Sequence, residues 1–167
     1  IKFSKKKNSP INIKLIISNT NKAKGLKYSK MYKIQKKVVD FKNKNIAEKN
    51  LLSLLSKKKI RFVCLAGFMK ILSKKFIKRF SGKIINIHPS LLPKYKGLNT
   101  HQKALKNNDK YSGCTVHYVT KKVDSGKIIL QKKVKIKRND SLNTLTKKVL
   151  LEEHKLYPRA ISKVFKN

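Results

Sequence analysis

An α/β fold on an open, mostly parallel sheet flanked by helices is the class this sequence predicts, on three observations. Arg61 to Gly67 (RFVCLAG) is a nearly continuous apolar run closed by glycine, the signature of a central parallel strand buried on both faces. Ile84 to Ile87 is a second such run, and Ser73 to Phe80 between them suits a short helix. Strand, helix and strand at this spacing make a βαβ unit. Its right-handed crossover places the two strand ends, at Gly67 and at His88, along one edge of the sheet, where open α/β sheets hold their ligands.

The other elements follow from the same periodicities. Ile11 to Ile17 (INIKLII) reads as a strand ending in the polar turn Ser18-Asn19, and a weaker strand is expected at Val38-Val39. Ile46, Leu51, Leu54 and Leu55 recur at helical spacing and stop at Lys57 to Lys59, where cations suit a helix C-terminus. Beyond His88 a Pro/Gly-punctuated loop reaches Asn99, a helix is expected from about Thr100 to Asn107, and strands at Thr115 to Val119 and Ile128 to Ile136. Asp140 or Ser141 can cap a last helix with Leu142, Leu145, Val149 and Leu156 on its apolar face, and Pro158 should kink or interrupt it.

With 167 residues, 40% of them hydrophobic, the chain is long enough to bury roughly 70% of its unfolded surface in one core, so one domain spanning 1–167 is expected. The longest apolar runs fall far short of the roughly 20 residues a bilayer span needs, which argues against a membrane role, and no stretch reads as a signal peptide. Cys64 and Cys114 lie in strand-like runs without metal or disulfide spacing; buried thiols and a cytoplasmic location are the expectation. The net charge of +37 would ordinarily point to nucleic acid. Yet only Arg61, Arg79, Arg138 and Arg159 are arginine, and the lysines are scattered, so no specific nucleic-acid partner is expected. Lys, Ile and Asn are abundant together, as drift in an AT-rich genome would leave them. The charge should still steer small anionic substrates toward the protein.

The strongest chemical constellation is Asn86-Ile87-His88-Pro89. On a strand, Asn86 and His88 share a side, and Pro89 ends the pairing so that the imidazole would face a cleft. An amide donor beside an imidazole can stabilise an oxyanion and move protons, although from spacing alone a strand-end histidine before proline is more often just a hydrogen-bonded surface residue. Asp124, beside Gly126, either favours the charged form of a nearby imidazole or is an ordinary turn residue. His117 reads as a packed strand residue and His101 as a polar first-turn residue. No Cys/His/carboxylate spacing suggests a metal.

Three blocks, LAGFMKILS (Leu65 to Ser73), NIHPSLLPKYKGLNTHQKAL (Asn86 to Leu105) and GCTVHYVTKKVDSGKIILQ (Gly113 to Gln131), resemble the phosphoribosylglycinamide formyltransferase family, and the likeness extends from about Ile11 to Phe165. The resemblance implies a Rossmann-like sheet (the formyltransferase fold) and direct formyl transfer from 10-formyltetrahydrofolate, as co-substrate, to the amine of glycinamide ribonucleotide in purine biosynthesis. By it His88 is the proton donor and acceptor, Asn86 holds the formyl oxygen, and Asp124 keeps His88 protonated and orders a proton-shuttling water. Folate-binding positions map to Met69, Lys70, Ile71, Leu72, Asn86, Thr120, Lys121, Lys122, Val123 and Asp124, with Lys44 at the glutamate tail. Glu153, Leu150 and Pro89 fall on the ribonucleotide side. The family opens with a strand and a glycine-rich phosphate loop that this chain does not show before Ile11; an N-terminally truncated domain of reduced or absent activity is the expectation. The resemblance leaves the assembly at monomer or homodimer. Competing readings are a formyltetrahydrofolate hydrolase, a methionyl-tRNA formyltransferase, disfavoured by the lack of an RNA-binding domain after Phe165, and a non-catalytic basic nucleic-acid-binding module.

Overall fold

The computed structural model describes residues 1–166, which fall into two compact units, Ile1–Arg61 with Lys78–Gly82, and Phe62–Ile77 with the chain from Lys83 onward. In the first unit, after a 3-10 turn at Lys2–Lys5, strand β1 (Leu15–Ser18) pairs in parallel with β2 (Gln35–Val38), in register from Leu15 opposite Gln35 to Ser18 opposite Val38. A 3-10 turn (Lys24–Leu26) and the short helix α1 (Lys27–Met31) connect them. Helix α2 (Lys44–Lys57) starts where the Asn43 side chain accepts a hydrogen bond from the Ile46 amide at 3.1 Å, satisfying one of the donors a helix N-terminus leaves free. Ala47, Glu48, Leu51 and Leu55 form its buried face, whereas Ile46 is exposed.

The second unit carries β3 (Phe62–Leu65), β4 (Lys83–His88), β5 (Tyr111–Tyr118) and β6 (Ile128–Lys135), joined in that order. β3 and β4 are parallel; β4 and β5, and β5 and β6, are antiparallel. Helix α3 (Lys74–Arg79) crosses over between β3 and β4 and is opened by the Ser73 hydroxyl, which accepts from the Phe76 amide at 3.0 Å. Helix α4 (Thr100–Lys106) precedes β5, and α5 (Leu142–Lys166) follows β6. The core joins Ile85 and Ile87 of β4 and Cys114 and Val116 of β5 to Leu145, Val149, Leu156 and Ala160 of α5. Each of the isoleucine, valine and leucine side chains among them contributes about 1.5–3 kcal/mol by leaving water.

The α/β class and the strand–helix–strand unit stand as the sequence predicts, and three local expectations do not. β3 is an edge strand of its sheet, half-exposed where burial on both faces was expected, because an apolar run reports burial but not which neighbours complete it. For the same reason Cys64 is exposed, while Cys114 is fully buried; both thiols are free. Pro158 does not interrupt α5, although an interior proline costs a helix about 3 kcal/mol. Leu156, Ala160 and Val164 are buried on either side of it, and the Tyr157 hydroxyl donates to the Leu65 carbonyl at 2.7 Å, so tertiary packing carries the helix through. At the start of α5 Ser141 is the cap, accepting from the Thr144 amide at 3.2 Å. Asp140 instead receives the Lys148 ammonium at 2.6 Å and the Lys137 amide at 2.8 Å. No helix among the described residues is long and apolar enough to cross a membrane.

Candidate active site

β4 and β5 bring the chemistry together by register. Asn86 stands directly opposite His117 across the antiparallel pair, and His88 opposite Thr115. Two residues apart on one strand, Asn86 and His88 share a face, and the cross-strand partner adds a second imidazole to it. The His88 and His117 rings lie 6.5 Å apart, nearly edge to face.

Asp124 reaches both rings. Its Oδ2 is 3.3 Å from His88 Nδ1 and its Oδ1 is 3.6 Å from His117 Nε2. The loop that delivers it is fixed at several points. Asp124 takes a left-handed backbone (φ 44°), which a short polar side chain tolerates. The Gly97 amide donates to Asp124 Oδ2 at 2.9 Å, and Lys96 Nζ donates to Ser125 Oγ at 2.7 Å. At Gly126 a Cβ would collide with the Tyr118 carbonyl oxygen, so the return into β6 is open only to glycine.

His88 is 5% exposed. The sequence places its ring facing a cleft; in the structure it is enclosed, because Nε2 lies 2.8 Å from the Tyr95 carbonyl oxygen while Asp124 covers Nδ1. A carbonyl only accepts, so Nε2 carries a proton, and Nδ1 is the nitrogen turned to the Asp124 carboxylate. His117 is set differently. Burial pulls its pKa below the usual histidine value, helped by the charge of His88, while the Tyr118 carbonyl and Asp124 act against that shift. Its Nδ1–H donates to the Tyr118 carbonyl at 2.9 Å, which leaves Nε2 as a lone pair 3.5 Å from Asn86 Nδ2. The amide is thereby oriented with its NH2 toward the cluster, and its second N–H is available to an oxygen of a bound substrate.

A buried polar clamp supports the chain leaving His88. Thr115 Oγ1 donates to the Ser90 carbonyl (2.7 Å) and accepts from the Leu92 amide (3.1 Å) and Gln131 Nε2 (2.9 Å). Thr100 Oγ1 donates to the Pro89 carbonyl at 2.7 Å, tying the start of α4 to the same turn. His101 occupies the first turn of α4 as expected; its Nδ1 is buried without a partner among the described residues, and burial, then the charge of His88, lowers its pKa.

The structure thus brings Asn86, His88 and Asp124 together and adds His117, which strand periodicity alone assigns to packing. Only the β4–β5 register reveals its partners. Met69, Lys70 and Ile71 are exposed on the segment after β3, with Leu72 buried behind them; β3 ends with Leu65 paired to Asn86, so this segment departs beside the site. Thr120, Lys121, Lys122 and Val123 are exposed on the loop leading to Asp124. On α5 Leu150 is exposed and Glu153 half-buried, and burial pushes the Glu153 carboxyl up to about 7. Lys44 is exposed at the start of α2 in the first unit.

A family model described as formyl transferase matches residues 1–161. The phosphoribosylglycinamide formyltransferase of Haemophilus influenzae is 42% identical over 155 residues, covering 91% of this chain and 73% of that protein. The human trifunctional purine biosynthetic protein adenosine-3 is 41% identical over 167 residues, and the chain spans 16% of its length. Among solved structures, the phosphoribosylglycinamide formyltransferase of Brucella melitensis superposes with a TM-score of 0.93 at 39% identity, covering 100% of this chain and 88% of that one.

Proposed function

The chain belongs to the formyl transferase family, and we propose that its Asn86–His88–Asp124 cluster transfers a formyl group from 10-formyltetrahydrofolate to the amine of glycinamide ribonucleotide. The observation that carries this reading is the geometry of the cluster. One imidazole donates from Nε2 to the Tyr95 carbonyl, and a carboxylate lies 3.3 Å from its Nδ1. Beside them stands a carboxamide whose orientation a neutral histidine fixes.

Formyl transfer needs these three groups. The amine nitrogen attacks the formyl carbon, and the carbonyl π pair moves onto oxygen. The resulting oxyanion takes a hydrogen bond from the free Asn86 N–H and a proton or hydrogen bond from His88, whose Nδ1 faces the Asp124 carboxylate. As the tetrahedral species collapses, the carbon–N10 bond breaks, N10 takes up a proton and the amine gives one up. The balance is one N–H exchanged for another, so a histidine that both gives and takes protons suffices, with a water ordered by Asp124 as carrier. Removing one donor from such an oxyanion site costs about 100- to 1,000-fold in turnover.

On the same reading Met69 to Leu72 and Thr120 to Asp124 receive the folate heterocycle between apolar side chains and loop backbone. Glu153, Pro89 and Leu150 take the ribonucleotide. A half-buried carboxyl near neutrality is a suitable acceptor for hydroxyl or amine hydrogens. The test is spectrophotometric consumption of 10-formyltetrahydrofolate with and without glycinamide ribonucleotide, for the protein and for His88→Ala. Consumption that requires the ribonucleotide and falls at least 100-fold in the variant is expected. Consumption indifferent to the ribonucleotide would make the protein a hydrolase, and full turnover by His88→Ala would refute the mechanism.

A further inference from the structure

Tyr95 has a positive φ of 54°, in the left-handed region that a bulky residue occupies only when its surroundings hold it there. Its hydroxyl donates to Asp109 Oδ2 at 2.8 Å and accepts from Asn107 Nδ2 at 2.8 Å, so the phenolic oxygen is used in both directions. The other Asp109 oxygen takes the Lys94 ammonium at 3.0 Å. At the other end of the residue, the Tyr95 carbonyl accepts the Nε2 proton of His88 at 2.8 Å. The side chain is therefore anchored on the turn between α4 and β5, and the unfavourable backbone it sustains is the one that presents a carbonyl to the imidazole.

We propose that Tyr95, anchored through its hydroxyl by Asp109 and Asn107, is the positioning residue that fixes the ring orientation and Nε2 protonation of His88, turning Nδ1 to Asp124. The inference rests on His88 as the proton-transfer group of the reaction proposed above. With the carbonyl in place, a flip of the ring about Cβ–Cγ would set Cδ2 against Asp124 and Cε1 against the carbonyl, losing both polar contacts, so one orientation is enforced. Without the anchor, Tyr95 relaxes out of the left-handed region and its carbonyl swings away. The ring is then free to exchange tautomers. Asp109 is suited to this task in a lysine-rich chain: a charged acceptor makes a stronger bond to the phenol than a neutral one, and Lys94 offsets its charge.

The experiment is histidine-labelled 15N NMR on the protein, Tyr95→Phe and Asp109→Ala, with His88 assigned by its absence in His88→Asn. Four histidines keep the spectrum simple. In the parent, the His88 Nε2–H should exchange with solvent at least tenfold more slowly than the ring protons of exposed His154. In both variants that exchange should accelerate at least tenfold, with a mixed tautomer pattern, while the amides of core residues Cys114 and Val116 stay in place. Where turnover is measured alongside, kcat should fall about tenfold with KM for both substrates within twofold. Variants that lose thermal stability but keep the parent's exchange and tautomer would overturn the proposal and leave Tyr95 a loop staple. Expected NMR changes in a protein that consumes no formyl donor would uphold the positioning role and defeat the formyl-transfer reading.

Discussion

Replacing Glu153 with Gln should stabilise the protein at alkaline pH and leave it unchanged at acid pH. Burial raises this carboxyl from an ordinary 4.5 to about 7. A carboxyl raised in the folded state costs nothing below its unfolded value, where both states are protonated. The penalty grows as pH climbs from 4.5 and is complete above 7, where folding must strip the ionised group of water. At about 1.4 kcal/mol per tenfold change in proton affinity, the full difference is about 3 kcal/mol, and partial exposure of the side chain reduces it to roughly 1–2 kcal/mol. Glutamine matches the protonated acid in shape and does not titrate. Urea unfolding of both proteins at pH 5 and pH 8, in about 0.2 M salt to screen the net charge, should give a midpoint shift in favour of Glu153→Gln at pH 8 that vanishes toward pH 5. For a chain of this size the pH 8 gain corresponds to roughly 2–8 °C in Tm. A difference of the same size at both pH values, or a destabilised variant at pH 8, would refute the reasoning and show the carboxylate to be stabilised in the fold.

Thr115→Val keeps the shape of a fully buried side chain but leaves the Leu92 amide and the Ser90 carbonyl without their partner and Gln131 Nε2 with the Leu92 carbonyl alone; calorimetry should show about 3 kcal/mol of lost stability, and a loss under 1 kcal/mol would mean that other groups satisfy them. Gly126→Ala forces the new methyl against the Tyr118 carbonyl and displaces the loop that carries Asp124, so formyl transfer should drop at least tenfold; parent-level turnover would show that the loop is set elsewhere. Ser141→Ala removes the cap of α5 and should cost about 1 kcal/mol in thermal unfolding, with turnover unaffected.

Much of this architecture is legible because local signals agree with tertiary ones. Asn86 to Pro89 announces a strand end carrying two polar groups on one face, and β4 does end at His88. The start of α5 is readable from Asp140-Ser141, although which of the two caps it depends on Lys148 and Lys137, which claim the aspartate. What the sequence withholds is pairing. Nothing in RFVCLAG distinguishes an edge strand from a central one, and nothing in TVHYV says that His117 will face Asn86 across a ladder. The enclosure of His88 was illegible for a related reason. It arises from a backbone carbonyl, at a tyrosine whose left-handed conformation no propensity rule anticipates.

The placement of acids in a chain of net charge +37 shows which electrostatic scale matters in this fold. With 44 basic residues, a carboxylate anywhere on the surface has cations in reach, yet the aspartates are spent on defined local tasks. Asp40 accepts the Lys42 amide, Asp109 holds Tyr95 and Lys94, Asp124 serves the histidines, and Asp140 ties Lys148 to the start of α5. Glu153 is the informative exception, with no ion pair within 4 Å among the described residues. If the summed field of the lysines governed such groups, it would hold this carboxyl ionised. Burial instead pushes it up to about 7, because exposed cations are screened over about 8–10 Å while the loss of water acts at contact. The same comparison bears on the proposed chemistry. The excess of lysine steers anionic substrates toward the protein, whereas burial is the chief cause of the shifts at His117 and Glu153 and the Asp124 carboxylate contacts His88 directly at 3.3 Å, so raising the salt concentration should weaken substrate capture and leave the proton-transfer step unchanged.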